Sequence, residues 1–414
     1  MTQTKSIKSS KNVKATKTFR TGSTLLDLVA GGGMRMGLPY GKIINVRGDK
    51  SAGKTFLTME GIAANIHKYG DKFKWNYDDC ESGFSFEENA RELWNIDVNI
   101  EEQYQSDTVE EMDAHVGMFL DDLPKDGCGA YVLDSLDGLS TNETQARADD
   151  RQTKAEKGKD VDNDGTYGTS FAKFLSQDFF KDKAPRMEDS NAIMFIISQY
   201  RDNINAGLFG KKNVVSGGRA LDFYCHTVFE LRTLKKLTRT IEGQLITYGV
   251  RVEIKTSKSK TPRPFRKCVV TILYDYGIDD IGSNIDFLFG LLTETGELKK
   301  DAENIIWGTG KEITIPNLKA FLEEHGEYDE CRAARKKAEK KDTLTIAWAV
   351  SYITNNPELK EHYTQVFGET FTRDELIAQI EDDPKMAREL ENRVIEKWER
   401  IEAKAASNRR GKYT

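Results

Sequence analysis

The stretch Gly48-Asp49-Lys50-Ser51-Ala52-Gly53-Lys54-Thr55 constrains this chain more than any other. It spells G-x-x-x-x-G-K-[ST], the phosphate-binding loop, and its flanks supply the context that pattern needs. Ahead of it, Ile43-Ile44-Asn45-Val46 is a short β-branched run of the kind that forms a buried strand. Behind it, Phe56, Leu57, Met59, Ile62, Ala63 and Ile66 recur at helical spacing up to Gly70, a suitable C-cap. The loop should therefore join a strand to a helix N-terminus, where backbone N–H groups and the helix dipole favour a phosphate. In such a loop Lys54 reaches the β- and γ-phosphates of a nucleotide, and the Thr55 hydroxyl holds Mg²⁺.

Composition sets outer limits. The chain has 414 residues, enough for two or three domains with full cores. Charged residues make up 31%, which points to much solvated surface and exposed helices. The net charge of −6 means that any nucleic-acid binding must come from local basic patches. Cys80, Cys128, Cys225, Cys268 and Cys331 show no C-x-x-C pairing, so neither a zinc site nor a disulfide framework is expected. Free thiols fit a reducing cytosol, and a cytoplasmic location is the expectation. No apolar run is long enough to span a membrane, and no apolar segment follows the N-terminal lysines as a secretion signal requires.

Residues 1–20 carry six basic side chains and no acid, which reads as a flexible basic arm. Such an arm touches DNA or a neighbouring subunit, or is simply a disordered tail. Phe73 to Asp78 is a second strand, ending in Asp79-Cys80-Glu81. Catalytic groups in such folds sit at the carboxyl ends of strands, and a carboxylate there can deprotonate the water that attacks the γ-phosphate. Glu81 is the candidate base. Ala130-Tyr131-Val132-Leu133-Asp134 fits the Walker B pattern, an apolar strand whose terminal Asp contacts Mg²⁺ through its water shell.

Asn142 to Gly165 is polar and almost free of large apolar residues, and is expected as a long surface loop. Within it Asp160-Val161-Asp162-Asn163-Asp164-Gly165 imitates an EF-hand start, but the twelfth position is Phe171, so calcium is rejected. Ala192 to Ile197 is a fourth buried strand ending in Ser198-Gln199. The segment Arg201 to Arg219 follows. It combines Arg201, Lys211, Lys212 and Arg219 with Gly207, Gly210, Gly217 and Gly218 and the apolar pair Leu208-Phe209. That mixture suits a loop gripping single-stranded nucleic acid, or an ordinary flexible loop. Thr227–Leu231, Gln244–Lys255 and Cys268–Tyr274 read as further strands. The last two bracket a basic turn with Lys255, Lys258, Lys260, Arg263, Arg266 and Lys267, either a solvated hairpin tip or a source of cations for a phosphate. From about Gly277 the chain turns helical. Thr372-Arg373-Asp374-Glu375 is a capping box, and Met386, Leu390, Val394, Trp398 and Ile401 form one stripe.

Taken in order, these motifs resemble the RecA family of homologous-recombination ATPases, from about Thr21 to Asp280. The anchors are Thr21-Gly22-Ser23, the phosphate loop, Asp79-Cys80-Glu81, Leu133-Asp134-Ser135, Ser198-Gln199, Leu208-Phe209-Gly210, Ser216 to Tyr224, Lys258 with Lys260, and Ile272-Leu273-Tyr274. The resemblance implies an α/β fold. It has a mostly parallel central sheet over residues 21–285, with DNA loops near 141–170 and 201–219, and a mainly helical domain over 286–414. It implies ATP and Mg²⁺ as ligands, Glu81 as the base, Gln199 as the γ-phosphate sensor, and Arg201, Leu208 to Lys212 and Gly217 to Arg219 on DNA. Lys258 and Lys260 would reach across a filament interface to a neighbour's ATP. The partners so implied are single-stranded DNA, a homologous duplex and further copies of the chain. There are departures: a short polar arm before the core, the insertion after Asp134, and a C-terminus that ends basic. A ring helicase or regulatory ATPase on the same fold is the alternative. A DNA-coating protein without turnover is opposed by the intact set Lys54, Thr55, Glu81 and Asp134.

Overall fold

The computed structural model describes residues 17–32, 36–81, 86–96, 98, 102–156, 167–202, 213–215, 217–261, 263–299, 302, 305–307, 315–341 and 343–410. The chain divides into two compact units, 1–280 with 398–414, and 281–397.

The first unit opens with β1 (Thr18–Phe19), α1 (Thr24–Ala30) and β2 (Leu38–Pro39). The expected basic arm therefore ends earlier than residue 20. Thr18 and Phe19 pair with Pro39 and Leu38, and Phe19 is 1% exposed. Its ring lies 5.0 Å from that of Phe195 and 6.1 Å from that of Tyr40. An aromatic side chain so placed stabilises the core by about 3–5 kcal/mol, which outweighs the polar character of its neighbours.

Then follow β3 (Lys42–Gly48), α2 (Lys54–Tyr69), β4 (Phe73–Asp79), α3 (Phe86–Trp94), α4 (Val109–Asp121) and β5 (Cys128–Asp134). β3 and β5 carry apolar runs ended by glycine or acid, as strands buried on both faces require, while the edge strand β4 leaves Lys74 and Trp75 half-buried. Next come α5 (Asn142–Glu156), α6 (Tyr167–Phe174), a π-helical turn (Leu175–Phe179), α7 (Phe180–Ser190), β6 (Ala192–Asp202), β7 (Asn213–Val215) and α8 (Gly218–Tyr224). The unit's sheet closes with β8 (Thr227–Ile241), β9 (Gln244–Ser259), β10 (Lys267–Leu273) and β11 (Gly277–Asp279).

The strands form one sheet in the order β11-β10-β9-β8-β3-β6-β5-β4, with β7 on β6. From β8 to β4 all pairings are parallel; β9, β10, β11 and β7 join antiparallel. Alternation along the strands sorts the faces. Ile43, Met194, Ile196, Tyr131 and Leu133 pack with Val116 and Phe119 of α4 and Phe180 and Met187 of α7. Neighbouring Phe195 turns to Phe19, on the side where the Phe19 ring crowds Gly61 of α2.

Two expectations fail here for local reasons. Asn142–Glu156 is a helix, not a loop, and 157–165 of the insertion lie outside the described residues. Gln, Ala, Arg, Lys and Glu are good helix formers, and Arg147 bonds Glu143 at 2.5 Å one turn away. Low apolar content excluded a core, not a helix. The basic turn is also shorter than expected. β9 runs on to Ser259 and β10 begins at Lys267, so Lys255 and Lys258 stand on a strand. The calcium-like stretch 160–165 lies outside the described residues.

The second unit holds α9 (Asp280–Phe289), β12 (Ile305–Trp307), α10 (Ile315–Glu324), α11 (Tyr328–Glu339), α12 (Ile346–Thr354), α13 (Pro357–Phe367), β13 (Glu369–Phe371) and α14 (Arg373–Asp382). Phe321, Cys331, Ile353, Tyr363 and Phe367 form its core. Thr372 and Glu375 make the expected capping box of α14. The last helix, α15, runs Pro384–Arg410. From Trp398 on it belongs with the first unit, where Glu402 accepts from Arg263 at 2.9 Å and from Arg266. Of the apolar stripe, Leu390, Val394 and Trp398 are buried, while Ile401 is exposed.

Candidate nucleotide site

The phosphate loop lies where the sequence puts it. Gly48 ends β3, Gly53 caps α2 and Lys54 is its first residue. The glycines answer specific needs. Gly53 has φ +81, and a Cβ there would stand 2.4 Å from Ile272 Cδ1; one on Gly48 would meet the Leu231 carbonyl at 2.7 Å. Asp49, Lys50 and Ser51 are exposed and Ala52 is buried. Lys54 is 8% exposed, and its Nζ donates to the carbonyls of Gly48 at 3.1 Å and Asp49 at 2.9 Å. Burial holds its ammonium pKa below the ordinary lysine value, against the pull of Asp134 and Glu81.

Parallel register brings the acids to this loop. Asp79 and Asp134 are paired across β4 and β5, and Gly48 is paired with Gln199 across β3 and β6. Thr55 Oγ1 donates to Asp134 Oδ2 at 2.7 Å, and the Tyr77 hydroxyl donates to the same oxygen. Burial raises the Asp134 pKa, while the bonds from Tyr77 and Thr55 oppose the rise. Glu81 Oε1 accepts from Gln199 Nε2 at 2.9 Å and from Ser135 Oγ. The Gln199 amide N–H is held by Asp137 Oδ2 at 2.8 Å. The groups line a cleft of about 490 Å³ whose far wall is Val250, Ile272 and Tyr274.

The residues present fit a nucleoside triphosphate with Mg²⁺. The loop has the glycines that let backbone approach a phosphate, and it opens a 16-residue helix. One hydroxyl and one carboxylate converge, the donor set for a cation that keeps several waters and takes the rest from phosphates. Among the described residues no group of three His, Cys, Asp or Glu gathers as a complete protein metal cage. When bound, Mg²⁺ would neutralise phosphate charge, and Thr55 and Asp134 are the residues placed to hold it.

Lys258 and Lys260 do not line this cleft. Lys260 N donates to the His226 carbonyl at 2.9 Å, and His226 N donates to the Ile43 carbonyl at 2.8 Å. That is the opposite end of the same strands. There Lys42, Lys181, His226 and Lys260 line a second cleft of about 410 Å³. Lys258 Nζ is bound to the last carbonyls of α8, those of Asp222 and of Phe223, the latter at 3.1 Å. Of the expected DNA-binding residues, Arg201 falls on β6, Gly217 caps α8, and Gly218 and Arg219 begin it. Leu208, Phe209, Gly210, Lys211 and Lys212 lie outside the described residues. Sequence reading assigned no role to Tyr77, Ser135 or Asp137. Tyr77 stands two residues before Asp79 on the same strand face, and that period was the available signal.

The chain matches the family model of the RecA N-terminal domain over residues 151–279. It is 26% identical over 350 residues to Protein RecA of Rippkaea orientalis, covering 83% of this chain and 88% of that protein. It is 28% identical over 318 residues to Protein RecA of Phytoplasma mali (76% and 83% covered), and 29% identical over 310 residues to that of Streptomyces avermitilis (74% and 72%). Among solved structures, the RadB recombinase aligns with 63% of this chain and 98% of its own at 17% identity, with a TM-score of 0.40. Among the described residues no helix is long and apolar enough to cross a membrane. By these comparisons the chain is similar to the RecA recombination ATPases over most of its length.

Proposed function

We propose that this chain is a DNA-dependent ATPase that assembles helical filaments on single-stranded DNA and catalyses pairing and strand exchange with a homologous duplex. ATP would lie against Gly48 to Thr55, with Lys54 on its β- and γ-phosphates and Thr55 and Asp134 at Mg²⁺. Glu81 would take the proton of the attacking water, since the loop that carries it faces Lys54 across the cleft. Gln199, bonded to Glu81, would report the γ-phosphate to the segment that follows β6. Arg201, Leu208 to Lys212 and Gly217 to Arg219 would grip the DNA backbone and bases.

The observation that carries this reading is the place of Lys260. It lies at the Ile43 end of β3, five residues or about 17 Å from Gly48 along the strand, beyond the reach of its side chain. A cation so placed can serve a nucleotide only in another copy of the chain. Head-to-tail contacts of that kind close into rings or continue into helices.

Mixing tests it. Lys54→Ala and Lys260→Ala should each lose ATP turnover alone. An equimolar mixture on single-stranded DNA should recover about a quarter of wild-type activity, because about one interface in four pairs an intact Lys54 with an intact Lys260. No recovery, with both variants folded, removes the shared site. Hydrolysis should also rise with single-stranded DNA and lose that rise as salt increases. Turnover indifferent to DNA would leave an ATPase with a different trigger.

A further inference from the structure

We infer that Tyr77 is a positioning residue for the metal half of the nucleotide site: its hydroxyl fixes one oxygen of Asp134 so that the other is presented to the metal and its water shell. This rests on the reading of Lys54, Thr55 and Asp134 as a MgATP site.

The argument starts from register. Tyr77 pairs with Val132, and Asp79 with Asp134, so the Tyr77 Cα stands two residues short of the Asp134 level. Two residues of strand rise about 6.6 Å, close to the span of a phenol from its Cα. A tyrosine at this position, directed along the strands, therefore delivers its hydroxyl to the carboxylate, and it does so: Tyr77 OH donates to Asp134 Oδ2. The ring is 1% exposed and lines the cleft, so its body is fixed by packing while its tip meets the site.

Thr55 Oγ1 donates to the same Oδ2 at 2.7 Å. A carboxylate oxygen carries about two acceptor positions, so both on Oδ2 are taken and those on Oδ1 are the ones left to a metal-bound water. The clamp matters because the terminal torsion of an aspartate is soft and broad. Thr55 alone is a poor clamp, since its hydroxyl is itself a metal ligand in such loops. Tyr77 approaches from β4, outside the phosphate loop, and its hydroxyl also meets Thr55, so it braces both groups of the metal site.

The test is Tyr77→Phe, which keeps the ring. Binding of a fluorescent ATP analogue is followed during titration with MgCl₂, and separately in EDTA. The Mg²⁺ midpoint should rise about tenfold, the usual cost of removing a partner that orients a metal-binding carboxylate, while affinity in EDTA stays at the wild-type value. In an Asp134→Asn background, Tyr77→Phe should shift the midpoint no further, because both changes act through one carboxylate. An unchanged midpoint, an equal loss of binding in EDTA, or additive shifts in the double variant would each overturn the assignment. Wild-type binding that ignored Mg²⁺ would remove the MgATP reading along with it. Mg²⁺-dependent wild-type binding with an unaffected Tyr77→Phe would remove the Tyr77 assignment alone.

Discussion

The two ends of the parallel strands differ in how their charges are matched. At the carboxyl ends, Lys54, Thr55, Asp134, Glu81 and Gln199 are tied to one another or to loop carbonyls. At the amino ends, Lys42, Lys181 and Lys260 stand around His226, and the acid lining that cleft is Glu188, paired with Lys42 at 2.9 Å. The first set is closed and complete enough to be opened by a ligand. The second carries surplus positive charge over a buried imidazole, an arrangement that an anion from outside the chain would relieve. Under the proposed function one chain would hold two complementary halves of a site at opposite ends of its strands.

The change expected to break this comparison most sharply is at the closed end. Lys54→Ala should lower ATP turnover at least about 100-fold, since it removes a fixed cation from the phosphates. Glu81→Gln should keep ATP binding and lower turnover by about 10²–10⁴, the usual contribution of a general base. Near-normal hydrolysis in Glu81→Gln, measured as phosphate release, would take the base role from Glu81.

The open end should answer to pH instead. Burial, and after it Lys42, Lys260 and Lys258, push the His226 pKa down to about 4, against an unfolded value of 6.5. The unfolded chain then binds a proton between these values that the native chain does not, so native stability falls as pH drops through that window. The loss should be about 2 kcal/mol by pH 4.5. Urea denaturation of wild type and His226→Gln at pH 7 and 4.5 measures it: the variant should lose that much less. An anion bound among the lysines should shrink the loss in wild type. Equal losses in both proteins would mean that this end carries no such surplus.

These two ends were also unequally legible in the sequence. The closed end announces itself because its parts are local: a loop between a strand and a helix, and polar residues directly after apolar runs that can only be buried strands. Parallel register then brings Asp79, Asp134 and Gln199 together without further instruction. The open end was written only as scattered lysines. Lys42, Lys181 and Lys260 meet because β9 returns antiparallel beside β8, and its length was hidden by basic residues that read as a turn. Tyr77 was hidden for a related reason, since its value lies in the offset of two residues between paired strands. Helix α5 escaped because it lacks an apolar stripe, and with no stripe the periodic signal of a helix vanishes while its propensity remains.

The smallest effect is expected between the ends. Asn45 lies at the middle of β3, fully buried, and its amide donates to the Ile196 carbonyl and to Ser198 Oγ, both at 2.8 Å. Ser198 is next to Gln199, and Asn45 is two residues from Ile43, whose carbonyl holds His226. Asn45→Ala removes these two bonds and the one that Asn45 Oδ1 accepts from Arg47 Nε, and should cost about 1–3 kcal/mol in urea denaturation. If the ends are independent, the affinity for ATP and the pH profile of stability should stay at their wild-type values. If the strand interior couples them, both should shift together with the loss of stability. In the proposed head-to-tail assembly the coupling would run through the shared nucleotide rather than through the strand, so the independent outcome is the one expected.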